Sequence, residues 1–147
     1  MIKAKKTNEI KIVLPSLSVN ESIARSVIAA FCAQANPTAV DIADVKCAVS
    51  EAITNCIVHG YKDTVGDIYI SARIYDNESI RITVKDKGCG IADIEKARQP
   101  LFTTDAGGER SGMGFTVMES FMDRLSVRSS LGKGTVVTMS KRLNSCT

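Results

Sequence analysis

The sequence predicts a mixed α/β domain, and three observations carry that expectation. Asp67–Tyr75 and the segment holding Ile80, Ile82 and Val84 alternate apolar and polar residues, the period of strands buried on one face. Ser18–Ala35 and Thr38–Gly60 instead space their apolar residues as a helix does. Pro, Gly and Asn/Asp fall between these stretches, where a chain passing from one period to the other has to turn. The 147 residues are 44% hydrophobic and 24% charged, enough for one domain with a real core.

Taken in order, Glu9–Leu14 alternates with Ile10, Ile12 and Leu14 on one face and stops at Pro15. Ser18-Val-Asn-Glu21 has the spacing of a capping box. Ile23, Ala24, Val27, Ile28 and Phe31 then define a helix to about Ala35, with Arg25 off its apolar face, by default a solvated arginine. After the Asn36-Pro37 break, Thr38 with Asp41 predicts a second N-cap and Gly60 a C-terminal stop. Asp76-Asn77 predicts a hairpin turn, and the returning strand carries Ile80, Ile82 and Val84 inward. Ala92–Gln99 fits a short helix stopped by Pro100. Leu101–Arg110 has no period and reads as a lid-like loop. A helix starts near Phe115, and Arg124–Arg128 and Thr135–Lys141 read as strands joined by Leu131-Gly-Lys-Gly134.

Composition excludes several classes. Five cysteines without a C-x-x-C pair, beside a single histidine, do not make a zinc site. An odd cysteine count with no secretion signal points to a reducing, cytoplasmic setting. No apolar run approaches the ~20 residues that span a bilayer. The net charge of +3 is small and the basic residues are scattered along the chain, so nucleic acid is not expected as a direct partner.

Four features need a common explanation. Glu51, Asn55 and His59 stand four apart inside an otherwise apolar helix, and so form one stripe. Asp86 continues the inward parity of Ile80, Ile82 and Val84, aiming a carboxylate where a core residue belongs. Gly88 and Gly90 follow it, and Gly112-Met113-Gly114 opens a helix. A nucleotide accounts for all four. Asp86 accepts from the exocyclic amine of adenine, with Gly88 and Gly90 leaving room for the base. Backbone amides from Gly112 to Phe115 hold phosphates at a helix N-terminus. The Asn55 amide oxygen suits Mg²⁺, which shares its oxygen ligands with phosphate and water. Glu51, one turn away, takes a proton from an attacking hydroxyl. Neither the G-x-x-x-x-G-K-[ST] loop nor the H-R-D and D-F-G signatures occur.

These residues carry a resemblance. Glu51-x-x-x-Asn55-x-x-x-His59-Gly60, Asp86-x-Gly88-x-Gly90 and Gly112-Met-Gly114 are similar to the N, G1 and G2 boxes of the GHKL ATPase/kinase superfamily. The implied fold is a Bergerat-type α/β two-layer sandwich, a mixed, mostly antiparallel sheet backed by helices, with ATP held under a lid. Ala97-Arg-Gln-Pro-Leu-Phe-Thr-Thr104 and Glu109–Asp123 further resemble the anti-sigma-F factors of endospore-forming bacteria, the SpoIIAB type. That resemblance implies a homodimer that sequesters the sporulation sigma-F factor when ATP is bound. It also implies a serine kinase acting on an anti-anti-sigma partner of the SpoIIAA type. Carried over, Glu51 is the general base and Asn55 the Mg²⁺ ligand, with His59 supporting the site. Asp86 reads adenine. Gly88, Gly90, Gly112, Met113 and Gly114 line the nucleotide, Thr104, Arg110 and Ser111 reach the phosphates, and Thr135 joins the adenine contacts. Arg25 becomes a partner contact. Two alternatives stay open: an RsbW-type kinase of the general stress response, and a nucleotide-gated binding module without useful catalysis.

Overall fold

The computed structural model describes residues 3–99 and 114–144. Five strands form one sheet in the order β1-β2-β3-β5-β4, and every pairing is antiparallel: β1 Lys6–Pro15, β2 Asp67–Tyr75, β3 Ser79–Asp86, β4 Arg124–Ser130 and β5 Gly134–Arg142. The α-helices are α1 Val19–Cys32, α2 Ala39–Asn55, α3 Ile94–Ala97 and α4 Gly114–Phe121. The helical layer is centred on α2, which packs against α1 on one side and α4 on the other. The two-layer α/β sandwich expected from the sequence is the one observed.

The core lies between the layers because strand alternation sends one set of residues inward. Ile68, Ile70, Ala72 and Ile74 of β2 and Ile80, Ile82 and Val84 of β3 are all buried, facing Ile28, Val45, Val49 and Ile53 of the helices. Asp86 follows on the same face and is only 4% exposed. Slipping either strand by one residue would turn this whole set into water, and that penalty pins the register.

Local chemistry departs from expectation in several places. Ser18 is itself helical and its side chain caps nothing. The Glu21 carboxylate that would complete a capping box is taken by Arg25 and Ser50. Helix α1 stops at Cys32 and a 3₁₀ turn carries the chain to Ala35, where Asn36 reverses it at φ 54°. Ile23, expected in the core, is 47% exposed. The β2–β3 turn needs three residues, not two: Glu78 adopts φ 65° and donates its N–H to Tyr75 O at 3.2 Å. Thr38 does cap α2, its hydroxyl accepting from Asp41 N at 3.1 Å. At the other end α2 does not run to Gly60. The α-helix ends at Asn55 and Cys56–Gly60 form a π turn, closed by Tyr61 N–H donating to Cys56 O at 2.9 Å. The short helix expected over Ala92–Gln99 contracts to Ile94–Ala97, capped by the Asp93 carboxylate on Lys96 N at 3.1 Å. The expected lid over Leu101–Arg110 lies outside the described residues.

Candidate nucleotide site

A cavity of about 470 Å³ opens between the end of α2, the β3–β5 end of the sheet and the start of α4. That volume is right for a nucleotide-sized ligand. Asp86 stands in its wall at the last position of β3, opposite Thr135 of β5. Gly88 N–H donates to Asp86 Oδ1 at 2.9 Å. Burial pushes the Asp86 carboxyl above its ordinary value, opposed by hydrogen bonds from Gly88 N–H, the Cys56 thiol and Thr135 N–H. The same burial, with the neighbouring Asp86 charge, drives the Cys56 thiol far up and leaves it protonated. The remaining wall is largely apolar, with Ala52, Val84, Ile91, Phe115 and Val137. A planar base flanked by such side chains and met at its edge by one carboxylate is a chemically sensible occupant.

Two close approaches build this wall. A Cβ on Gly60 would sit 2.8 Å from Asp86 Oδ2, and one on Gly88 would sit 2.1 Å from Gly60 O. The π turn and the segment after β3 therefore touch backbone to backbone. Cys89 N–H donates to Gly60 O at 2.9 Å and Cys89 Sγ to His59 O at 3.0 Å. Tyr61 reinforces the contact, accepting from Lys87 N–H at 2.8 Å and donating to Asp67 O at 2.5 Å. The space at Gly88 is thus filled by protein backbone, whereas the sequence pattern reserves it for the base. Its N–H orients the Asp86 carboxylate, and Gly90 is the one of the two glycines that lines the cavity.

Asn55 and His59 also line the cavity, and a Cβ on Gly114 would lie 3.0 Å from both Asn55 Oδ1 and Nδ2. The amide of α2 thus faces Gly114, the first described residue of α4, and helix N-termini favour phosphate. Glu51 is half-buried one turn earlier on α2 and is not part of the cavity wall. Thr135 lines the cavity and its hydroxyl lies 2.9 Å from Ser129 Oγ. Among the described residues no group of three or more His, Cys, Asp or Glu could cage a metal ion. Asn55 therefore offers a single hard oxygen, which fits Mg²⁺ bound mainly through phosphates and water. Thr104, Arg110, Ser111, Gly112 and Met113 lie outside the described residues.

Arg25 is away from this cavity, half-exposed on α1. It is not a freely solvated arginine: Nη1 donates to Glu21 Oε1 at 3.2 Å and to Ser50 Oγ at 3.3 Å, while Ser50 donates to Glu21. Sequence reasoning missed Ser50, whose only visible signal was its place beside Glu51. It also missed Ile91 and Phe115 as walls of the cavity, although each directly follows a glycine of the motifs.

The profile of the histidine kinase-like ATPase domain matches residues 14–141. The anti-sigma F factor of Thermoanaerobacter sp. (strain X514) is 58% identical over 139 residues, 95% of this chain and 96% of the relative. That of Bacillus subtilis (strain 168) is 48% identical over 138 residues, 93% and 94% of the two chains. The chain belongs to the anti-sigma F factor family. Among solved structures, the RsbU and RsbW domains of Rv1364c from Mycobacterium tuberculosis superpose with TM-score 0.68 at 22% identity, over 93% of this chain and 32% of that one. Full-length ShkA in complex with AMPPNP superposes with TM-score 0.59 at 13% identity, over 99% and 32%. At these identities the two structures show the shared fold. No helix among the described residues is long and apolar enough to cross a membrane.

Proposed function

We propose that this anti-sigma F factor family member is an ATP-dependent protein-serine kinase that also binds and inhibits the sporulation sigma-F factor. Its substrate is a serine of the anti-anti-sigma partner, and it works as a cytoplasmic homodimer. The observation that carries the kinase reading is the apposition of Asn55 and Gly114 at a cavity whose wall holds the buried Asp86. Asp86 accepts from the adenine amine and fixes the base. Asn55 holds Mg²⁺, which neutralises charge on the β- and γ-phosphates when bound. The amides that begin α4 orient the phosphates. Glu51 accepts the proton of the serine hydroxyl as its oxygen bonds to the γ-phosphorus and the bond to the ADP oxygen breaks. His59, whose carbonyl is held by Cys89, supports the π turn. Thr104, Arg110, Ser111, Gly112 and Met113 complete the phosphate contacts, and Arg25, pre-set by Glu21 and Ser50, meets a protein partner.

The names of the relatives at 48–58% identity support the sporulation branch over the general stress one. Labelled ATP incubated with the anti-anti-sigma protein tests the reading. Label should appear on serine, and Glu51→Ala should lose transfer by 10²-fold or more while keeping nucleotide binding (general-base contributions run to about 10²–10⁴-fold). A Glu51→Ala protein that transfers at the parent rate overturns the assignment of the base.

A further inference from the structure

Every described helix packs on one face of the sheet, and the opposite face has no described element over it. Strand parity decides what that face carries. β1 contributes Lys11, β3 Arg81 and Lys85, β4 Arg124 and Arg128, and β5 Arg142, all exposed. Arg73 of β2 is there too, paired with Glu9 of β1, which leaves Asp67 as the remaining carboxylate. The positive excess of this face is larger than the +3 of the whole chain, so the rest of the chain is net acidic. In sequence these residues look scattered because a strand shows only alternate residues on one face and five strands share the load. The fold gathers them.

We propose that this face docks single-stranded nucleic acid. A basic sheet could also meet an acidic protein or an anionic membrane, and the other residues on it decide between them. A protein interface wants a contiguous apolar centre, but here the middle strands offer Ser71, Thr83 and Thr138, and the most exposed apolar side chain is Val13, at the β1 edge. No bulky apolar group stands out of the sheet to enter a bilayer. Hydroxyls among Arg and Lys suit phosphate oxygens. Tyr69 and Tyr75 of β2 add aromatic faces, each with a cation over the ring: Lys87 at 5.0 Å from the Tyr69 centroid and Arg81 at 5.6 Å from that of Tyr75. An open sheet that alternates cations with aromatic rings is a platform on which bases stack while the backbone is neutralised.

Fluorescence anisotropy with a labelled polyuridine RNA tests this, in saturating ATP so that the cavity is filled. Lys85, Arg124 and Arg128 are exposed on the sheet face opposite the cavity and none of them lines it, so the triple variant K85E/R124E/R128E should keep its melting temperature and its affinity for ATP. Expected is saturable RNA binding, weakening log-linearly with salt by about 0.7 per phosphate contacted. The variant should bind at least tenfold more weakly, with that slope reduced by about 2. The neutral triple K85Q/R124Q/R128Q should fall between, which guards against a misfolded charge-reversed protein. RNA binding that is absent at ~50 mM salt, or is unchanged in both triples, overturns the proposal. So does tighter, variant-sensitive binding of polyglutamate or phosphatidylserine vesicles, which would reassign the face to an acidic protein or a membrane.

Discussion

Replacing Asp86 with Asn separates what the carboxylate does for the nucleotide from what it costs the fold. One oxygen, Oδ1, accepts from Gly88 N–H at 2.9 Å, and the Cys56 thiol and Thr135 N–H also donate to the carboxylate, whose remaining lone pair is what can meet the adenine amine. Asn has one acceptor where Asp has two. If its oxygen stays with Gly88, its NH₂ faces the amine of the base, donor against donor. If it flips, Gly88 N–H is orphaned. Losing a charge-assisted hydrogen bond, or leaving one such group unmet, costs about 1.5–3 kcal/mol. That corresponds to about 10–150-fold weaker binding of both ATP and ADP. Without nucleotide, the buried carboxyl makes stability depend on pH. Burial raises the Asp86 pKa above its ordinary 3.8, so the folded chain holds the proton more tightly than the unfolded chain does. Stability therefore falls as pH rises from 3.8 through the folded value. Asn has no such titration, so the variant's stability should lack that decline with pH. Calorimetric titration with ATP and thermal melts from pH 4 to 8 read both effects. Nucleotide affinity within twofold of the parent, in a variant that melts normally, would refute adenine recognition by this carboxylate.

Gly114→Ala places a methyl 3.0 Å from the Asn55 amide, which must then shift by a few tenths of an ångström. Serine transfer should fall about tenfold or more while ATP affinity changes less, and equal loss of both would contradict the assigned roles. Ile82→Ala empties a fully buried position in a central strand, at a cost of about 2–5 kcal/mol. For a chain of this size that lowers Tm by about 5–15 °C, readable by calorimetry. Alkylation of the native protein, followed by peptide mass mapping, should label exposed Cys47 and Cys89, with ATP slowing Cys89 alone. Cys32, its thiol pushed up to about 12 by burial, and Cys56 should stay unmodified. Reaction of Cys56 ahead of Cys89 would count against the buried Asp86–Cys56 contact.

The strands are legible in the sequence because burying one face makes parity a single decision for each strand. Ile80, Ile82, Val84 and Asp86 have to turn the same way, so the period alone puts the carboxylate on the inner face. The end of α2 is not legible in the same way. An i+4 stripe through Glu51, Asn55 and His59 fits an unbroken helix, and over a single turn apolar spacing does not distinguish an i→i+5 bond from an i→i+4 one. What selects the π turn is tertiary: Gly60 O must reach Cys89 N–H and the His59 carbonyl must reach the Cys89 thiol, partners about thirty residues away. The capping box fails for a related reason. Glu21 has one use at Ser18 and another with Arg25, one turn on, and with Ser50 of α2, and the pairing that reaches across the two helices wins. The outer sheet face follows the same logic at larger scale. Each of its cations is ordinary in its own strand, and only the strand order β1-β2-β3-β5-β4 brings them together. Features set by one element's burial can be read from its period. Those set by two elements meeting require the fold, and in this chain they include the Cys56 and Thr135 hydrogen bonds to Asp86, the anchoring of Arg25 and the charge of the open face.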